Sequence, residues 1–503
     1  MSSADGQEQK KAFQNNSLLI SGKSHYKLLN IIGEGTFGSV ARGVNLCTKQ
    51  NVAVKILSDK EVFKNEINMM EVVSVLDPVK SNVVHFYEKV EQVGFTCLVF
   101  ERLDRNLCEL LEDREGKPLF VSEIRPIAQQ LLTALEALRR LGIIHSDLKP
   151  DNVMLVNHYK EPFRVKLIDF GVSFRTSEVT DGMVIQPVGF RAPEVSLGLP
   201  ISQAIDLWGL GCILAYLYLG EELFNTECEY QMMRSMITVL GKPDDYLLNA
   251  ATQTHWFFTK NPHWKTPKWS LKSPMQFMFE TRIEPTQGWP VQFRSLDQLE
   301  TIYQEGQEPI NMIDNKAFIN LLKHLLHMDS ELRITSAEAL RHPFISMELM
   351  EEQDASLYVC NAFKKMIVCK LEDSKDDSIH KVSASPLCGD DVTNEPATLG
   401  EILWIKTDNS LEETSDDKTE EEVQGVSSTS PCADECSTNL PEGAAAAGAE
   451  GAEAVNHDIT CDLTEEKTVP DGSPDVKRRK SLFKRIRSFF SREFRALFSR
   501  RRS

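Results

Sequence analysis

At 503 residues, with 41% hydrophobic and 26% charged residues, the chain has the make-up of an ordinary soluble protein with a sizeable core and length for roughly two or three average domains. Its net charge of −18 is segregated: residues 371–475 hold 27 acidic and 5 basic residues, whereas residues 476–503 hold 12 basic and one acidic. The 11 cysteines show neither paired metal-ligand spacing nor the density of a disulfide framework, and Cys432 and Cys436 lack the second pair of a zinc site, which argues for free thiols in a reducing compartment.

The N-terminus, Met1-Ser2-Ser3-Ala4-Asp5-Gly6, lacks the apolar run of a signal peptide, so secretion is not expected, and residues 1–25 read as a flexible segment. Next, Ile31-Ile32-Gly33-Glu34-Gly35-Thr36-Phe37-Gly38-Ser39-Val40 follows a strand-like run and precedes a second alternating run, Val52-Ala53-Val54-Lys55-Ile56. Glycines at these spacings let a tight hairpin bring backbone N–H groups onto phosphate oxygens, where any side chain would intrude. Dinucleotide-binding folds share the pattern but follow it with a helix, and a plain Gly-rich hairpin also accounts for it. Lys55, inside an apolar strand, must either reach water or meet an opposite charge. Glu66 opens an amphipathic pattern with Ile67, Met70 and Val73, and a Lys55–Glu66 pair can hold the lysine over the α- and β-phosphates of a nucleotide. Glu71 is the second candidate for that pairing, and two unrelated surface charges are the plain alternative.

A helix-period segment, Ile124, Ile127, Leu131, Leu135 and Leu138, then leads into Ile144-His145-Ser146-Asp147-Leu148-Lys149-Pro150-Asp151-Asn152 and Val165-Lys166-Leu167-Ile168-Asp169-Phe170-Gly171. Phosphoryl transfer to a hydroxyl needs a carboxylate that orients the nucleophile and takes its proton, and Asp147 fits. It also needs oxygen ligands for Mg2+, which Asn152 and Asp169 supply. Lys149 can reach the transferred phosphate and offset transition-state charge. Arg191-Ala192-Pro193-Glu194 and Asp206-Leu207-Trp208-Gly209-Leu210-Gly211 complete an ordered series that together forms the protein-kinase signature. The longest apolar stretch, Leu207 to Leu219, is shorter than the roughly 20 residues of a bilayer crossing and reads as a buried core helix.

On these motifs, the segment from Tyr26 to Phe344 resembles the eukaryotic protein kinases. Within them it is similar to the homeodomain-interacting protein kinases of the CMGC group, through Phe100-Glu101-Arg102-Leu103, Arg191, Leu197-Gly198-Leu199-Pro200, and His342-Pro343-Phe344-Ile345-Ser346-Met347 continuing to Tyr358-Val359-Cys360. The resemblance implies an α+β, two-lobed protein kinase fold: a small N-terminal lobe with an antiparallel sheet and one key helix, and a large, mainly helical C-terminal lobe. It places a kinase domain at 26–345 and a C-terminal extension at 346–370. ATP would lie between the lobes, covered by Ile32, Gly33, Glu34, Gly35, Thr36, Phe37, Gly38 and Val40. Ala53 would line the adenine pocket and the backbone of Glu101 and Leu103 would hold the purine edge. Asp206 would anchor the catalytic loop and Glu194 would pair with Arg333. The loop around Lys149 implies serine or threonine acceptors, Arg191 a proline after the acceptor, and the branch implies protein substrates among transcription regulators, in nucleus or cytoplasm. A pseudokinase is the rival reading; it commonly lacks one of Lys55, Glu66, Asp147, Asn152 and Asp169, all present here.

Departures from the pattern sit beside the active centre. Ser146 stands where most kinases carry an arginine that binds a phosphorylated activation segment, and Val184 stands at the branch's autophosphorylated tyrosine. Pro187-Val188-Gly189-Phe190 replaces a basic, paired-tyrosine run. The expectation is a segment either ordered without phosphate or controlled through Ser173, Thr176, Ser177 or Thr180. Behind the kinase region, composition predicts a disordered acidic stretch at 371–475. Within it, Ile402-Leu403-Trp404-Ile405 has the form of a SUMO-interacting segment, with a plain apolar patch as the alternative. Residues 476–503 form a basic amphipathic pattern, with Leu482, Phe483, Ile486, Phe489, Phe490, Leu497 and Phe498 near helical spacing. Such a helix can meet an anionic membrane, a partner groove or the import machinery, or pair with the acidic stretch.

Overall fold

The computed structural model describes residues 17–370, apart from 36–37, 58–62, 93–94, 226, 263–267, 287–292, 303–308 and 352–355. The acidic stretch, Ile402–Ile405 and the basic segment 476–503 lie outside the described residues. In the first lobe, β1 (Leu18–Ile20), β2 (His25–Gly35), β3 (Gly38–Asn45), β4 (Asn51–Leu57), β5 (Phe86–Gln92) and β6 (Phe95–Glu101) form one antiparallel sheet in the order β1-β2-β3-β4-β6-β5. Period-two alternation decides which side chains each strand buries. In β4, Val52, Val54 and Ile56 join Leu19, Tyr26, Leu28, Ala41, Val90, Cys97 and Val99 in one apolar cluster. Ala53 and Lys55 therefore take the opposite face. Among the described residues one helix of the first lobe, α1 (Lys64–Val73), follows β4 and buries Glu66, Ile67, Met69, Met70 and Val73.

The expectation of a flexible segment through residue 25 is corrected from residue 17 onward. Leu18, Leu19 and Ile20 pair with Lys27, Tyr26 and His25, and Ser21 Oγ donates to Glu88 Oε1 at 3.0 Å. Three strand residues are too few for alternation to stand out, so burial of one leucine carries the element.

The second lobe is mainly helical. It contains α2 (Leu107–Asp113), α3 (Val121–Arg140), α4 (Pro193–Leu197), α5 (Ala204–Leu219), α6 (Glu229–Leu240), α7 (Asp245–Ala250), α8 (Thr254–Phe257), α9 (Pro274–Thr281) and α10 (Pro309–Leu325), then α11 (Ser336–Ala339), α12 (Pro343–Ser346), α13 (Glu348–Glu351) and α14 (Leu357–Met366). Short strands β7 (Ile143–Ile144), β8 (Val153–Leu155), β9 (Val165–Leu167) and β10 (Phe174–Arg175) pair as β7–β10 and β8–β9, and β11 (Phe258–Lys260) pairs with β12 (Trp269–Leu271). The helical spacing read for α3 holds, with Ile124, Ile127, Leu131, Leu135 and Leu138 all buried. The apolar stretch ending at Leu219 is α5, buried nearly all round. Gly209 within it lets the catalytic loop approach, since a Cβ there would sit 2.9 Å from Leu148 Cβ. Among the described residues no helix is long and apolar enough to cross a membrane.

Beyond the last short helices, the chain folds back over α3 and α10. Met347, Met350, Val359, Ala362 and Met366 bury against Ile310. Arg125, paired with Asp314, donates from Nε to Phe344 O at 2.6 Å, and the Tyr358 hydroxyl donates to Asp314. Lys365 Nζ donates to Ser122 Oγ at 3.0 Å. Arg164 donates to Val368 O at 2.7 Å and to Val79 O at 2.9 Å, tying the extension to the first lobe.

Leu19 is 1% exposed and Leu18 46%. Leu19→Ala should therefore lower unfolding stability by about 2–4 kcal/mol in urea titration, whereas Leu18→Ala should change it by less than about 0.5 kcal/mol. Equal effects would show that β1 does not hold the observed register.

Candidate active site

Alternation along β4 delivers Lys55 to the face opposite the apolar cluster. There its Nζ lies 2.5 Å from Glu66 Oε1 and 3.2 Å from Asp169 Oδ1. The phase of α1 resolves the two candidate partners: Glu66 is on the buried face, while Glu71 faces outward and pairs with Lys89 at 3.5 Å. Asp169 has φ of 61°, a left-handed conformation that Asp tolerates better than most residues, and its Oδ1 accepts from Gly171 N at 3.2 Å. Burial opposes its ionisation, but the Lys55 charge and the Gly171 N–H outweigh this and hold the carboxyl below its ordinary range. Burial equally opposes the Lys55 cation, and Asp169 and Glu66 outweigh it. Glu66 Oε2 is buried without a hydrogen-bond partner.

The loop between β7 and β8 carries the second group. Asp206, in the first turn of α5, accepts from His145 N at 2.7 Å and Ser146 N at 2.9 Å. His145 donates from Nε2 to Ile168 O at 3.0 Å and accepts from Asp147 N at Nδ1, which fixes one neutral tautomer; burial keeps the ring's pKa low. Asp147 Oδ2 accepts from Lys149 Nζ at 3.0 Å and from Asn152 Nδ2 at 2.8 Å. Burial pushes the Asp147 carboxyl up, Lys149 opposes this, and the Asp169 charge adds to the rise, so the two groups share one electrostatic neighbourhood. Val153 pairs with Leu167, and Ile168 N donates to Asn152 O at 3.0 Å. Asn152 and Asp169 thus flank the same end of the β8–β9 ribbon.

Over this floor lies the glycine hairpin, with Gly33 opposite Val40 and Gly35 opposite Gly38. Gly38 has φ of 111°, and a Cβ there would fall 2.3 Å from Ile56 O. Ile32 is exposed and Val40 half-buried. Thr36, Phe37 and the Glu34 side chain lie outside the described residues. Ala53 pairs with Phe100 at the back of the cleft, and Leu103 is buried just beyond β6. The Glu101 side chain is committed elsewhere, to Lys166 and to His85 N at 2.6 Å, and its N–H to His85 O at 3.0 Å, which leaves its backbone carbonyl as the part that can face a ligand.

At the far end of the activation segment, Arg333 binds Glu194 through two bonds of 2.6 and 2.9 Å, with both side chains fully buried. Arg191 donates to Ile185 O at 2.9 Å, to Gln186 O at 2.8 Å and to Glu229 Oε1 at 2.8 Å. Gln186, at φ of 63°, accepts from Ala192 N at 2.9 Å and donates to Ile205 O at 3.0 Å. Gln186 and Glu229 were not found by sequence reasoning: neither belongs to a motif, and no local pattern announces contacts made across a turn or from another helix.

The donor set fits a hard divalent cation shared with phosphate oxygens. The Asn152 amide nitrogen is engaged by Asp147 O and Oδ2, so its amide oxygen is the atom left to bind a cation. Asp169 stays anionic beside it. Among the described residues no trio of His, Cys, Asp or Glu could hold a metal alone, as expected where phosphates and water complete the coordination.

The model of the protein kinase domain matches residues 26–345. Homeodomain-interacting protein kinase 1 of Mus musculus is 36% identical over 376 residues, 73% of this chain and 31% of that protein. Homeodomain-interacting protein kinase 2 of Mesocricetus auratus is 36% identical over 373 residues, 72% and 32% of the two chains. Homeodomain-interacting protein kinase 4 of Homo sapiens is 38% identical over 340 residues, 64% of this chain and 55% of that protein. The chain therefore spans between about a third and about half of the length of these relatives.

Only ionised Asp147 can accept a proton, and its carboxyl titrates above the ordinary 3.8 because of burial. Removing the opposing cation in Lys149→Met raises it further, so the acid limb of kcat/KM for peptide phosphorylation should move to higher pH. A limb that stays in place or moves down would show that another group sets it.

Proposed function

The chain belongs to the protein kinase family, and from that membership we propose that it transfers the γ-phosphate of ATP, with Mg2+, to serine and threonine side chains of other proteins. The observation that carries this is the assembly of two groups around one cleft: Lys55 bonded to Glu66 and Asp169, and Asp147 bonded to Lys149 and Asn152. In this reading Lys55, fixed by Glu66, grips the α- and β-phosphates. Gly33, Gly35, Gly38 and Val40 close over the nucleotide beside Ile32, Glu34, Thr36 and Phe37. Ala53 and the backbone of Glu101 and Leu103 take the base. Bound at Asn152 and Asp169, the divalent ion supplies charge neutralisation for the phosphates. Asp147 orients the acceptor hydroxyl and takes its proton, and Lys149 offsets charge on the transferring group.

Arg191 supports a proline after the acceptor. It already occupies the carbonyls of Ile185 and Gln186, so an N–H arriving there finds no acceptor, and proline has none to satisfy. The relatives' names point to homeodomain proteins, and transcription regulators in the nucleus are the substrate class proposed here. The completeness and pairing of Lys55, Glu66, Asp147, Asn152 and Asp169 weigh against a pseudokinase.

Labelled phosphate transfer by the full chain should fall at least about a hundredfold in Lys55→Met and in Asp147→Asn; equal incorporation in all three would assign the signal to a contaminant and end this reading. In paired peptides, a Ser-Pro sequence should be favoured over Ser-Ala by about tenfold, and Arg191→Ala should erase most of that difference.

A further inference from the structure

The ribbon β7–β10 pairs Ile143 with Arg175 and Ile144 with Phe174. Thr176 N donates to Gly142 O at 2.8 Å, so the next rungs by register are a non-hydrogen-bonded one at His145–Ser173 and a hydrogen-bonded one at Ser146–Val172, where the ladder would use Ser146 N. His145 N and Ser146 N are given to Asp206, and Ser173 N turns back to Phe170 O at 3.2 Å. Val172 O thereby loses its ladder donor, and His145 O, on a non-hydrogen-bonded rung, has none from the ladder. Two hydroxyls serve them: Ser173 Oγ donates to His145 O at 3.0 Å, and Ser146 Oγ donates to Val172 O at 2.9 Å. Asn65, the neighbour of Glu66 on α1, donates to Ser173 O at 2.8 Å and to Gly171 O at 3.2 Å. Ser173 is 0% exposed and Ser146 1%, so water does not compete for these bonds.

We propose that Ser146 and Ser173 form a reciprocal hydroxyl latch that, with Asn65, holds Asp147 and Asp169 in their productive places without phosphate on the activation segment. The two serines are positioning residues for the reaction proposed above, and the inference rests on that reading. The latch stands where a kinase with an arginine at position 146 would use a phosphorylated loop, and it spans the same elements: catalytic loop, start of the activation segment, and α1. It also removes Ser173 from the candidate phosphorylation sites, since its hydroxyl is buried and committed. Thr176, Ser177 and Thr180 are exposed and lie outside the latch.

The test uses the full chain as wild type, Ser146→Ala, Ser173→Ala, the double variant, and Thr176→Ala/Ser177→Ala/Thr180→Ala, with Lys55→Met as the inactive control. Each single serine variant should lower kcat about tenfold, because Val172 O or the buried His145 O loses its hydroxyl donor and the segment is released more often, with KM for peptide within about twofold. The triple variant, and wild type after phosphatase treatment, should keep kcat within about twofold. Hydrogen exchange, read without substrate, should show residues 145–147 and 170–175 protected in wild type and locally deprotected in Ser146→Ala, with α3 and α5 unchanged. A double serine variant with wild-type kcat and wild-type protection would overturn the latch, as would loss of activity on phosphatase treatment. If wild type transfers no more phosphate than Lys55→Met, the kinase reading fails instead, and hydrogen exchange still decides the latch. Global loss of protection in Ser146→Ala would mean that the serine supports the whole lobe, and would also overturn the proposal.

Discussion

One buried carboxylate sets the frame of the active centre. Among the described residues no cation is bonded to Asp206; two backbone N–H groups, from His145 and Ser146, take that place. Burial pushes its carboxyl up, so its acceptance of those bonds is what makes an acid at this depth tolerable. By holding both N–H groups it stabilises Ser146 at φ of 63°, a backbone state that costs on the order of 1–3 kcal/mol when unsupported. The turn that results aims Asp147 and Lys149 into the cleft. The same helix turn carries Trp208, whose ring lies under the Arg333 guanidinium at 5.2 Å, and Arg333 in turn fixes Glu194. A single segment of α5 therefore positions both the loop proposed to act on the acceptor and the end of the segment proposed to receive it.

The carboxylates around this frame are driven in opposite directions. Asp169, facing a lysine and an N–H, is held low, whereas Asp147 is raised by burial that its own lysine only partly opposes. An ion ligand should remain anionic, and a proton acceptor works best when its basicity is increased. His145 stays neutral between them and serves as a hydrogen-bonded spacer rather than a charge.

Much of this was legible in the residues. Lys55 announced itself because a charge inside an alternating apolar strand must have a partner, and Asp147, Asn152 and Asp169 because their spacing around two short apolar runs matches a chemical need. Helical periodicity located α3 and α1 and a long apolar stretch located α5, although the choice between Glu66 and Glu71 needed the helix phase that only packing fixes. Three kinds of feature stayed hidden. β1 is too short to show a period. Gln186 and Glu229 act through contacts across turns and between helices, where neither spacing nor polarity is distinctive. Ser146 could be flagged as a departure from a pattern and Ser173 as a candidate phosphorylation site, but nothing in the sequence says that each hydroxyl serves a carbonyl of the facing strand. The Glu101 side chain is a further case, since its ion pair with Lys166 joins residues far apart in the chain.

The C-terminal extension changes what counts as one module. The protein kinase domain match ends at residue 345, yet Arg164 divides its guanidinium between Val368 at the end of the described chain and Val79 in the small lobe, and Tyr358 completes the environment of the Arg125–Asp314 pair. A boundary drawn at 345 would strand an arginine with half its acceptors and bare the methionine-lined floor over Ile310. In evolutionary exchange, the smallest piece that could be grafted onto a different tail without repair therefore runs through residue 370.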